Sequence, residues 1–321
     1  MKKLLSGVAM MALSTMAMGS TAQACGDVSI TEMNWASAGV VTATSKFLLE
    51  QGYGCKVTVV PSSTVPSVAS VAETGKPDIL TELWVNTAPQ YTELEKEGKL
   101  IAATKVLSDG GVEGWWIPDY LAEEHPELKT IDGVLAHPDW VGGMFNNCPE
   151  GWGCRIVNDN LKKFYDLDAK GIKVFDHGSG ETLAASIAAA YTDKKPWFGY
   201  YWSPTAVLGK YPMTMVDIGP YVAENNCNAS ADCATPIKSA YQPSDVLTAV
   251  TPTLAEREPE VFELMKHVSF TNAQMNEVLA WQEANSATAE EAAVHFLTTY
   301  KDVWSAWLSD DARAKLSAVL Q

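Results

Sequence analysis

The hydrophobic pattern of the first third of the chain switches repeatedly between two periods. Residues 28–34 (VSITEMN) alternate apolar and polar positions as a strand does, and residues 37–54 carry apolar side chains at helical spacing before a glycine. A second strand (55–61), a second helix (65–77) and a third strand (78–85) follow. Such a β-α-β-α-β run predicts a parallel sheet covered by helices.

The same alternation returns in the middle of the chain. The segments "VGGMFNN", "IKVFDH" and "PWFGYYW" have the character of strands, and "IVNDNLKKFYDL" and "GETLAASIAAAYTDK" between them have the character of helices. The region from Tyr241 to the C-terminus is expected to be mostly helical. We therefore predict an α/β fold with two lobes and a ligand cleft between them, since small-ligand sites lie preferentially between domains.

The absence of a long linker suggests that the chain crosses between the lobes more than once. We place the first crossing near residues 105–113 and the return near residues 213–220. On this division lobe 1 is discontinuous and comprises residues 25–110 and 217–321. Lobe 2 comprises residues 111–216.

The first 24 residues have the features of a secretory signal peptide. Lys2 and Lys3 precede an apolar run, residues 4–18, and "AQA" stands before Cys25. We expect this segment to be cleaved and the protein to be exported to the periplasm. A lipid anchor on Cys25 is disfavoured, because Ala22 occupies the position where a lipobox prefers leucine.

Charge argues against two classes of partner. The sequence has 39 acidic and 23 basic residues, a net charge of −16 that becomes −18 without Lys2 and Lys3. Such a field opposes binding to nucleic acids and to anionic membrane surfaces. It suits a small cationic or zwitterionic ligand better, and we expect a monomer.

Six cysteines in an exported chain predict disulfides. Fifteen pairings are possible in principle. We favour the local one, which joins Cys25 to Cys55, Cys148 to Cys154 and Cys227 to Cys233. No Cys-x-x-Cys pair is present and the five histidines are scattered, so no metal site is expected. The sequence also has no Gly-rich phosphate loop, and we expect no cofactor.

Tryptophan is unusually abundant, with 11 residues in the chain, and four of these follow predicted strands or lie in a short loop bracketed by cysteines. These four are Trp35, Trp84, Trp152 and Trp202. Each alone could be a core residue, because an indole buries a large area wherever it lies. Together they could form a cage that binds a methylated ammonium group by cation–π attraction, since such a group has no N–H to donate.

Three segments together resemble one family. "PDILTELWVNTAP", "CPEGWGC" and "KPWFGYYWSP" are similar to segments of the substrate-binding proteins of glycine betaine/proline-type ABC transporters, a group that includes choline and trimethylamine N-oxide binders. The resemblance covers essentially all of the chain after the signal peptide. It implies a two-lobed type II periplasmic binding protein that closes on its ligand by a hinge and works with a membrane permease and an ATPase.

The resemblance also implies site residues. The aromatic box of the family falls on Trp84, Trp152 and Trp202, and the backbone amides near Gly153 and Cys154 would receive a ligand carboxylate. Trp35 matches a pocket aromatic that only some subgroups have.

The segment "DGGVEGWWIPDY" departs from that pattern. On a strand, Glu113 and Trp115 share one face, so both are candidate pocket residues, while Trp116 takes the other face. A pocket carboxylate from Glu113 or Glu82 would favour an exposed positive charge or a protonated N-oxide over a zwitterion with its own carboxylate. Glycine betaine, proline betaine, choline and trimethylamine N-oxide therefore remain open as ligands.

Two other functions remain as alternatives. An exported carbohydrate-active hydrolase would stack sugars on the tryptophans and would need a pair of carboxylates about 5–9.5 Å apart. A sensory binding protein would hand its ligand to a receptor instead of a permease. The motif "HGSGE", residues 177–181, lacks the spacing of a nucleophile elbow and is better explained as a helix start. We expect a binding protein without enzymatic activity.

Overall fold

The structure is a computed structural model and describes residues 25–319. The predicted signal peptide lies outside the described residues and stays a prediction. The strands are β1 (Asp27–Met33), β2 (Lys56–Ser62), β3 (Ile79–Trp84), β4 (Ile101–Pro118), β5 (Met144–Asn147), β6 (Lys173–Asp176), β7 (Gly199–Ser203), β8 (Met213–Met215) and β9 (Ser244–Val250).

Helices pack against the strands. They are α1 (Ala36–Leu48), α2 (Thr64–Thr74), α3 (Pro89–Lys96), α4 (Asp119–Glu124), α5 (Ile131–Ala136), α6 (Gly153–Tyr165), α7 (Gly180–Asp193), α8 (Ala206–Lys210), α9 (Pro252–Arg257), α10 (Pro259–Met265), α11 (Asn272–Asn285), α12 (Ala289–Thr299), α13 (Lys301–Ser305) and α14 (Asp310–Val319). A short π-helical segment, Leu49–Tyr53, extends α1. The predicted β-α-β-α-β start and the helical C-terminal region are confirmed.

The strands run in the order β2-β1-β3-β9-β4-β7-β5-β6, with β8 paired to β4. In lobe 1, β1 is parallel to β2 and β3, while β9 lies antiparallel between β3 and β4. In lobe 2, β5 is parallel to β6 and β7, and β7 is antiparallel to β4. The 18-residue strand β4 belongs to both halves, so one continuous strand carries the chain from lobe 1 to lobe 2.

Besides the three-residue β8, two strands were not expected from the sequence. The hydrophobic pattern did not single out β4, because Gly110 and Gly111 interrupt it. The structure uses these glycines: Gly110 has φ +75°, and a Cβ on Gly111 would lie 2.1 Å from a ring atom of Trp84. The other strand, β9, lies at the start of the region expected to be mostly helical, and it pairs with β3 and β4, which are far away in the sequence.

The return to lobe 1 occurs later than the expected residues 213–220. After β8, the chain stays with lobe 2: Tyr165 donates a hydrogen bond to the carbonyl of Ile218, and Asn160 donates to the carbonyl of Asn228. The next ladder contact with lobe 1 is the pairing of Ser244 with Gly111. Since Tyr241 still donates to Asn158 of α6, we place the return at residues 241–244.

All three expected disulfides are present. They join Cys25 to Cys55, Cys148 to Cys154 and Cys227 to Cys233. The first ties the start of β1 to the start of β2, and the second closes the loop before α6. The third closes a turn in the segment that leads back to lobe 1.

Candidate functional site

One pocket between the lobes collects the tryptophans that the sequence singled out. Trp84 ends β3, Trp202 is the penultimate residue of β7, Trp35 immediately precedes α1, and Trp152 immediately precedes α6. All four are buried, and they line the pocket together with Thr64, Thr87, Glu113, Gly153, Cys154 and Tyr200. We call this group of ten residues the aromatic pocket. The cavity among these side chains has a volume of about 20 Å³, so the surrounding side chains nearly fill the pocket in this structure.

The rings of the aromatic pocket meet mainly edge to face. The centroids of Trp35 and Trp152 lie 5.0 Å apart at 71°, and those of Trp152 and Trp202 lie 5.1 Å apart at 83°. Tyr200 is nearly parallel to Trp202 at 6.1 Å. This geometry is the favourable one for aromatic pairs, and it sets neighbouring ring faces at steep angles around a common space.

The loop that carries Trp152 is fixed from both lobes. Its indole Nε1–H donates to Oδ1 of Asn34, across the cleft, at 2.6 Å. The carbonyl of Gly151 accepts from the amide of Val65 in lobe 1 at 3.0 Å. A side chain on Gly153 would meet Oγ1 of Thr87 at 2.2 Å, so only glycine allows the lobes to approach this closely.

The start of α6 offers free backbone donors to the pocket. Gly153 and Cys154 are its first two residues, so their amide groups have no acceptor within the helix. The N-terminus of a helix also carries partial positive charge. The two amides can therefore receive an anionic or electronegative ligand atom.

Glu113 lines the pocket, and each of its two carboxyl oxygens accepts a hydrogen bond. Its Oε1 accepts from the hydroxyl of Tyr200 and its Oε2 from the side-chain amide of Asn86, both at 2.7 Å. Burial raises the pKa of Glu113, and the two donors oppose this rise without cancelling it. A buried carboxyl group is therefore part of the pocket lining.

Glu82 lies behind two walls of the pocket. Its Oε1 accepts from Nε1 of Trp35 at 2.6 Å and from the hydroxyl of Ser37 at 2.7 Å, with Nε1 of Trp84 further away at 3.5 Å. Its Oε2 has no hydrogen-bond partner among the described residues. Burial raises the pKa of Glu82 to about 7, against the opposing effect of the three donors.

A β-bulge turns Glu82 toward the indoles. Between Leu80 and Leu83, β3 contains one residue more than the paired stretch of β9, and Glu82 within this bulge has φ +48°. The left-handed conformation costs a residue with a side chain about 1–2 kcal/mol. The chain bears this cost at a point where it places a buried carboxyl group against two tryptophans of the pocket.

Trp115 is the one expected site residue that lies elsewhere. The structure places it in the core of lobe 2, fully buried among Phe145, Tyr165 and Phe198, and its indole N–H donates to Asn158. Glu113 and Trp115 share a face of β4, as expected. Trp115 lies two residues further along the strand, where this face is covered by the core of lobe 2. The other seven expected residues line the aromatic pocket.

Sequence reasoning missed four contributors: Tyr200, Asn34, Thr64 and Thr87. Tyr200 had a detectable signal, because it stands two residues before Trp202 on the same strand and so shares its face. Asn34 and the two threonines follow strands or begin helices in lobe 1, where nothing in the sequence distinguishes them from ordinary loop residues.

The lobes are in contact in this structure. In addition to the bond that Trp152 donates to Asn34 and the one that Gly151 accepts from Val65, Nζ of Lys210 on α8 lies 2.5 Å from a carboxylate oxygen of Glu283 on α11. Trp35 and Trp202 also line a wider groove between α7 and α11, next to the aromatic pocket. The arrangement is therefore a closed one, in which the cleft is bridged on both sides of the tryptophans.

The motif "HGSGE" is a helix start. Ser179 accepts a hydrogen bond from the amide of Thr182, and the Thr182 side chain accepts in return from the amide of Ser179, which forms a capping box for α7. Within residues 25–319, no group of three or more His, Cys, Asp or Glu side chains could hold a metal ion. No helix in this part of the chain has the length and apolarity needed to cross a bilayer.

Two α/β lobes closed on an aromatic pocket define the class of two-lobed binding proteins. Residues 26–299 match the family described as the substrate binding domain of ABC-type glycine betaine transport systems. The chain belongs to this family, whose members are binding proteins and not enzymes.

The individual relatives share little sequence identity with this chain. The trimethylamine N-oxide-binding protein of Pelagibacter ubique (strain HTCC1062) is 23% identical over 212 residues, and this match covers 63% of the present chain and 64% of that relative's length. An ABC-transporter choline-binding protein, solved with choline, superposes with a TM-score of 0.75 at 20% identity, covering 92% of this chain and 99% of the other.

A second solved structure has the same fold. The lactococcal glycine betaine-binding protein, in its closed form with glycine betaine, gives a TM-score of 0.69 at 18% identity over 88% of this chain and all of the other. At these identities the superpositions establish the fold, a type II periplasmic binding protein. They do not decide which ligand this chain binds.

Proposed function

We propose that the chain is the periplasmic solute-binding protein of an ABC importer and that it captures a small methylated ammonium compound in the aromatic pocket. Trp84, Trp152 and Trp202 form the cage, and Trp35 closes it. The observation that carries the proposal is the use of the indole N–H groups. The indole N–H of Trp35 donates to Glu82 and that of Trp152 donates to Asn34, so these two residues can offer a ligand only their ring faces.

Ring faces suit one kind of ligand. A quaternary ammonium group presents methyl groups with diffuse positive charge and no N–H, and each well-placed indole contributes about 2 kcal/mol or more to its binding when desolvated. The free amides of Gly153 and Cys154 and the carboxyl group of Glu113 then meet the ligand's polar end.

Glu113 sets an order of preference among the four candidate ligands. A carboxylate at this position repels the carboxylate of glycine betaine or proline betaine. Choline has no carboxylate, and its positive charge is not neutralised by its own structure. The raised pKa of Glu113 also allows its protonated form to donate a hydrogen bond to an N-oxide oxygen. We therefore propose choline or trimethylamine N-oxide ahead of the two betaines.

The direct test is a titration of the purified protein, residues 25–321, with each of the four compounds, followed by tryptophan fluorescence and calorimetry. Saturable binding of one of them at micromolar concentration is the expected result. Glu113→Gln should bring the affinities for choline and glycine betaine closer together, since it removes the charge without changing the shape. A folded protein that binds none of the four contradicts the proposal.

A sensory role is the remaining alternative, because a binding protein can pass its ligand to a receptor as well as to a permease. The two differ in their partners. A permease and an ATPase that accumulate ligand in vesicles only when this protein is added would establish import. Export is part of the proposal, and the disulfide of Cys25 with Cys55 accords with it, because disulfides persist in oxidising compartments such as the periplasm. The same disulfide occupies the sulfur atom that a lipid anchor on Cys25 would need.

A further inference from the structure

Glu82 is a buried carboxyl group that contacts the outer edge of the cage. A single oxygen, Oε1, receives the N–H of Trp35 and the hydroxyl of Ser37 and lies near the N–H of Trp84, while Oε2 has no partner among the described residues. Trp35 and Trp84 belong to different segments of lobe 1. Their shared acceptor therefore sets the angle of two walls of the pocket at once.

We propose that Glu82 is a positioning residue and buried counter-charge for the cage: it acts in its ionised form through Trp35 and Trp84, so that capture of a methylated ammonium group is coupled to the release of a proton. This inference rests on the function proposed above. It deepens that function by assigning a role to a residue outside the pocket lining.

The physical basis is the protonation equilibrium of Glu82, which a bound cation shifts toward the carboxylate. Three donors around Oε1 favour the carboxylate, burial favours the neutral acid, and the resulting pKa of about 7 leaves both forms populated in the free protein. A cation enclosed by the indoles favours the carboxylate behind them. A hydrogen bond to an anionic acceptor also polarises the indole donors, which makes their ring faces more attractive to a cation.

Among the residues that the structure describes, no charged group determines the protonation of Glu82, whose pKa depends on burial and on three neutral donors. The groups that face it from α1, β3 and the turn before α1 are Ser37, Trp84 and Trp35, all neutral. None of the charged residues described on α1, β1, β4 and β9 forms a hydrogen bond or an ion pair with Glu82. Lys46 of α1 pairs with Glu50, Asp245 of β9 pairs with Lys105, the carboxyl group of Glu32 on β1 is raised in pKa by burial and Glu290, and Glu113 of β4 is held by Asn86 and Tyr200.

The sign of the effect follows from this linkage. Because the bound cation lowers the pKa of Glu82, binding releases a proton and strengthens as the pH rises through about 7. If the protonated form does not bind, the dissociation constant falls about tenfold between pH 6 and pH 8. Choline, glycine betaine and trimethylamine N-oxide do not titrate in this interval, so the ligand itself contributes no slope.

The experiment is calorimetric titration of the wild-type protein with each of these three compounds at several pH values and in buffers of different ionisation enthalpy. We expect proton release near pH 7 and the tenfold gain in affinity. Glu82→Gln keeps an acceptor for the indoles but removes the charge, so it should behave as the protonated protein does: its affinity should lie below that of the wild type throughout this interval and should not change with pH. Asp78→Asn is the matched control, since Asp78 is buried just before β3 and bonds to Ser29 and Lys76 without touching the cage.

The outcomes separate the inference from the function it rests on. A wild-type protein that binds none of the three compounds contradicts the proposed function. Binding with no proton release in the wild type overturns the inference alone, and this measurement needs no variant to fold. Proton release that persists in Glu82→Gln and disappears in Glu113→Gln also overturns it, because the titrating group would then be Glu113.

Discussion

The tryptophan in the core of lobe 2 and the tryptophans of the aromatic pocket donate their indole N–H groups to different kinds of acceptor. In the core of lobe 2, Trp115 donates to the neutral amide of Asn158, at 2.8 Å. In the aromatic pocket, Trp35 donates to a carboxyl group, Glu82, and Trp152 to a residue of the other lobe, Asn34. A structural tryptophan needs only a partner, whereas the acceptors of the pocket tryptophans can change with protonation or with lobe opening.

The coverage of the rings differs as well. Trp115 has the rings of Phe145, Phe198 and Tyr165 around it, with centroids 4.7, 5.6 and 5.8 Å away, and no solvent-accessible surface. Among the pocket tryptophans, Trp152 contacts the rings of Trp35 and Trp202, and all four line the pocket. The comparison separates an indole that stabilises the fold from one that is available to a ligand, and each variant below tests one side of it.

Trp115→Ala should have the largest effect, and the effect should be on stability. Removing a buried indole of this size costs about 3–5 kcal/mol of unfolding free energy, and Asn158 loses a donor. Chemical denaturation measures the loss. Trp115→Phe is the control, since it keeps most of the packing and removes the N–H. Ligand affinity of the folded fraction should stay at the wild-type value, and a specific loss of affinity would place Trp115 in the site after all.

Glu82→Gln should stabilise the free protein at high pH. Since burial raises the pKa of Glu82 from 4.5 to about 7, the unfolded chain loses this proton first, so stability from this group is fully present below about pH 4.5 and is lost as the pH rises to 7. The loss is on the order of 3 kcal/mol.

The measurement is denaturation of wild type and variant without ligand across that range. The glutamine variant should be the more stable protein at pH 8, and the difference should shrink toward pH 5. A wild type whose stability does not fall in this interval relative to Glu82→Gln would contradict the assignment.

Trp152→Ala should weaken ligand binding by about 30-fold, which corresponds to the roughly 2 kcal/mol of one desolvated cation–π contact. Its effect on unfolding should be smaller than that of Trp115→Ala, because one side of the indole borders the pocket instead of packed core. Calorimetry and denaturation on the same preparation give both values. Unchanged affinity would remove Trp152 from the cage.

The contrast between the two groups explains how far the sequence could be followed. Trp84 and Trp202 were predictable because each ends or nearly ends a strand, and Trp152 because two glycines and two cysteines enclose it. Trp115 was misplaced because alternation along β4 reveals which residues share a face but not where the pocket stops and the core begins. That limit depends on the packing of α6 against the strand, which the sequence of β4 does not contain.

Partners in other segments were beyond the sequence for the same reason. The acceptor roles of Glu82 and Asn34 depend on contacts 47 and 118 residues away along the chain. The late return to lobe 1 depends on hydrogen bonds from α6 to the segment after β8. Local periodicity predicted most of the elements, and tertiary contacts decided which of their residues meet.

Asn34→Ala should weaken ligand binding by about two- to tenfold. The variant removes an acceptor that Trp152 reaches only across the closed cleft, and a hydrogen bond of this kind contributes about 0.5–1.5 kcal/mol. Most of the change should appear in the dissociation rate, measured by stopped-flow fluorescence, because the bond helps to keep the lobes together. Asn34→Asp, which keeps an oxygen acceptor, should lose less. Equal affinities for wild type and Asn34→Ala would show that the bond does not contribute to closure.

The smallest effect should come from the ion pair of Lys210 with Glu283, which also bridges the lobes but lies outside the pocket. Both side chains are substantially exposed, so water and salt screen their attraction. Lys210→Ala should therefore change ligand affinity at most a few-fold at low ionic strength and not at all in high salt. Lys195→Ala is the matched control, because Lys195 makes a similar exposed pair with Asp193 inside lobe 2. If Lys210→Ala weakened binding as much as Trp152→Ala, closure and not the aromatic pocket would dominate the affinity, and the distinction between the two groups of tryptophans would lose its functional meaning.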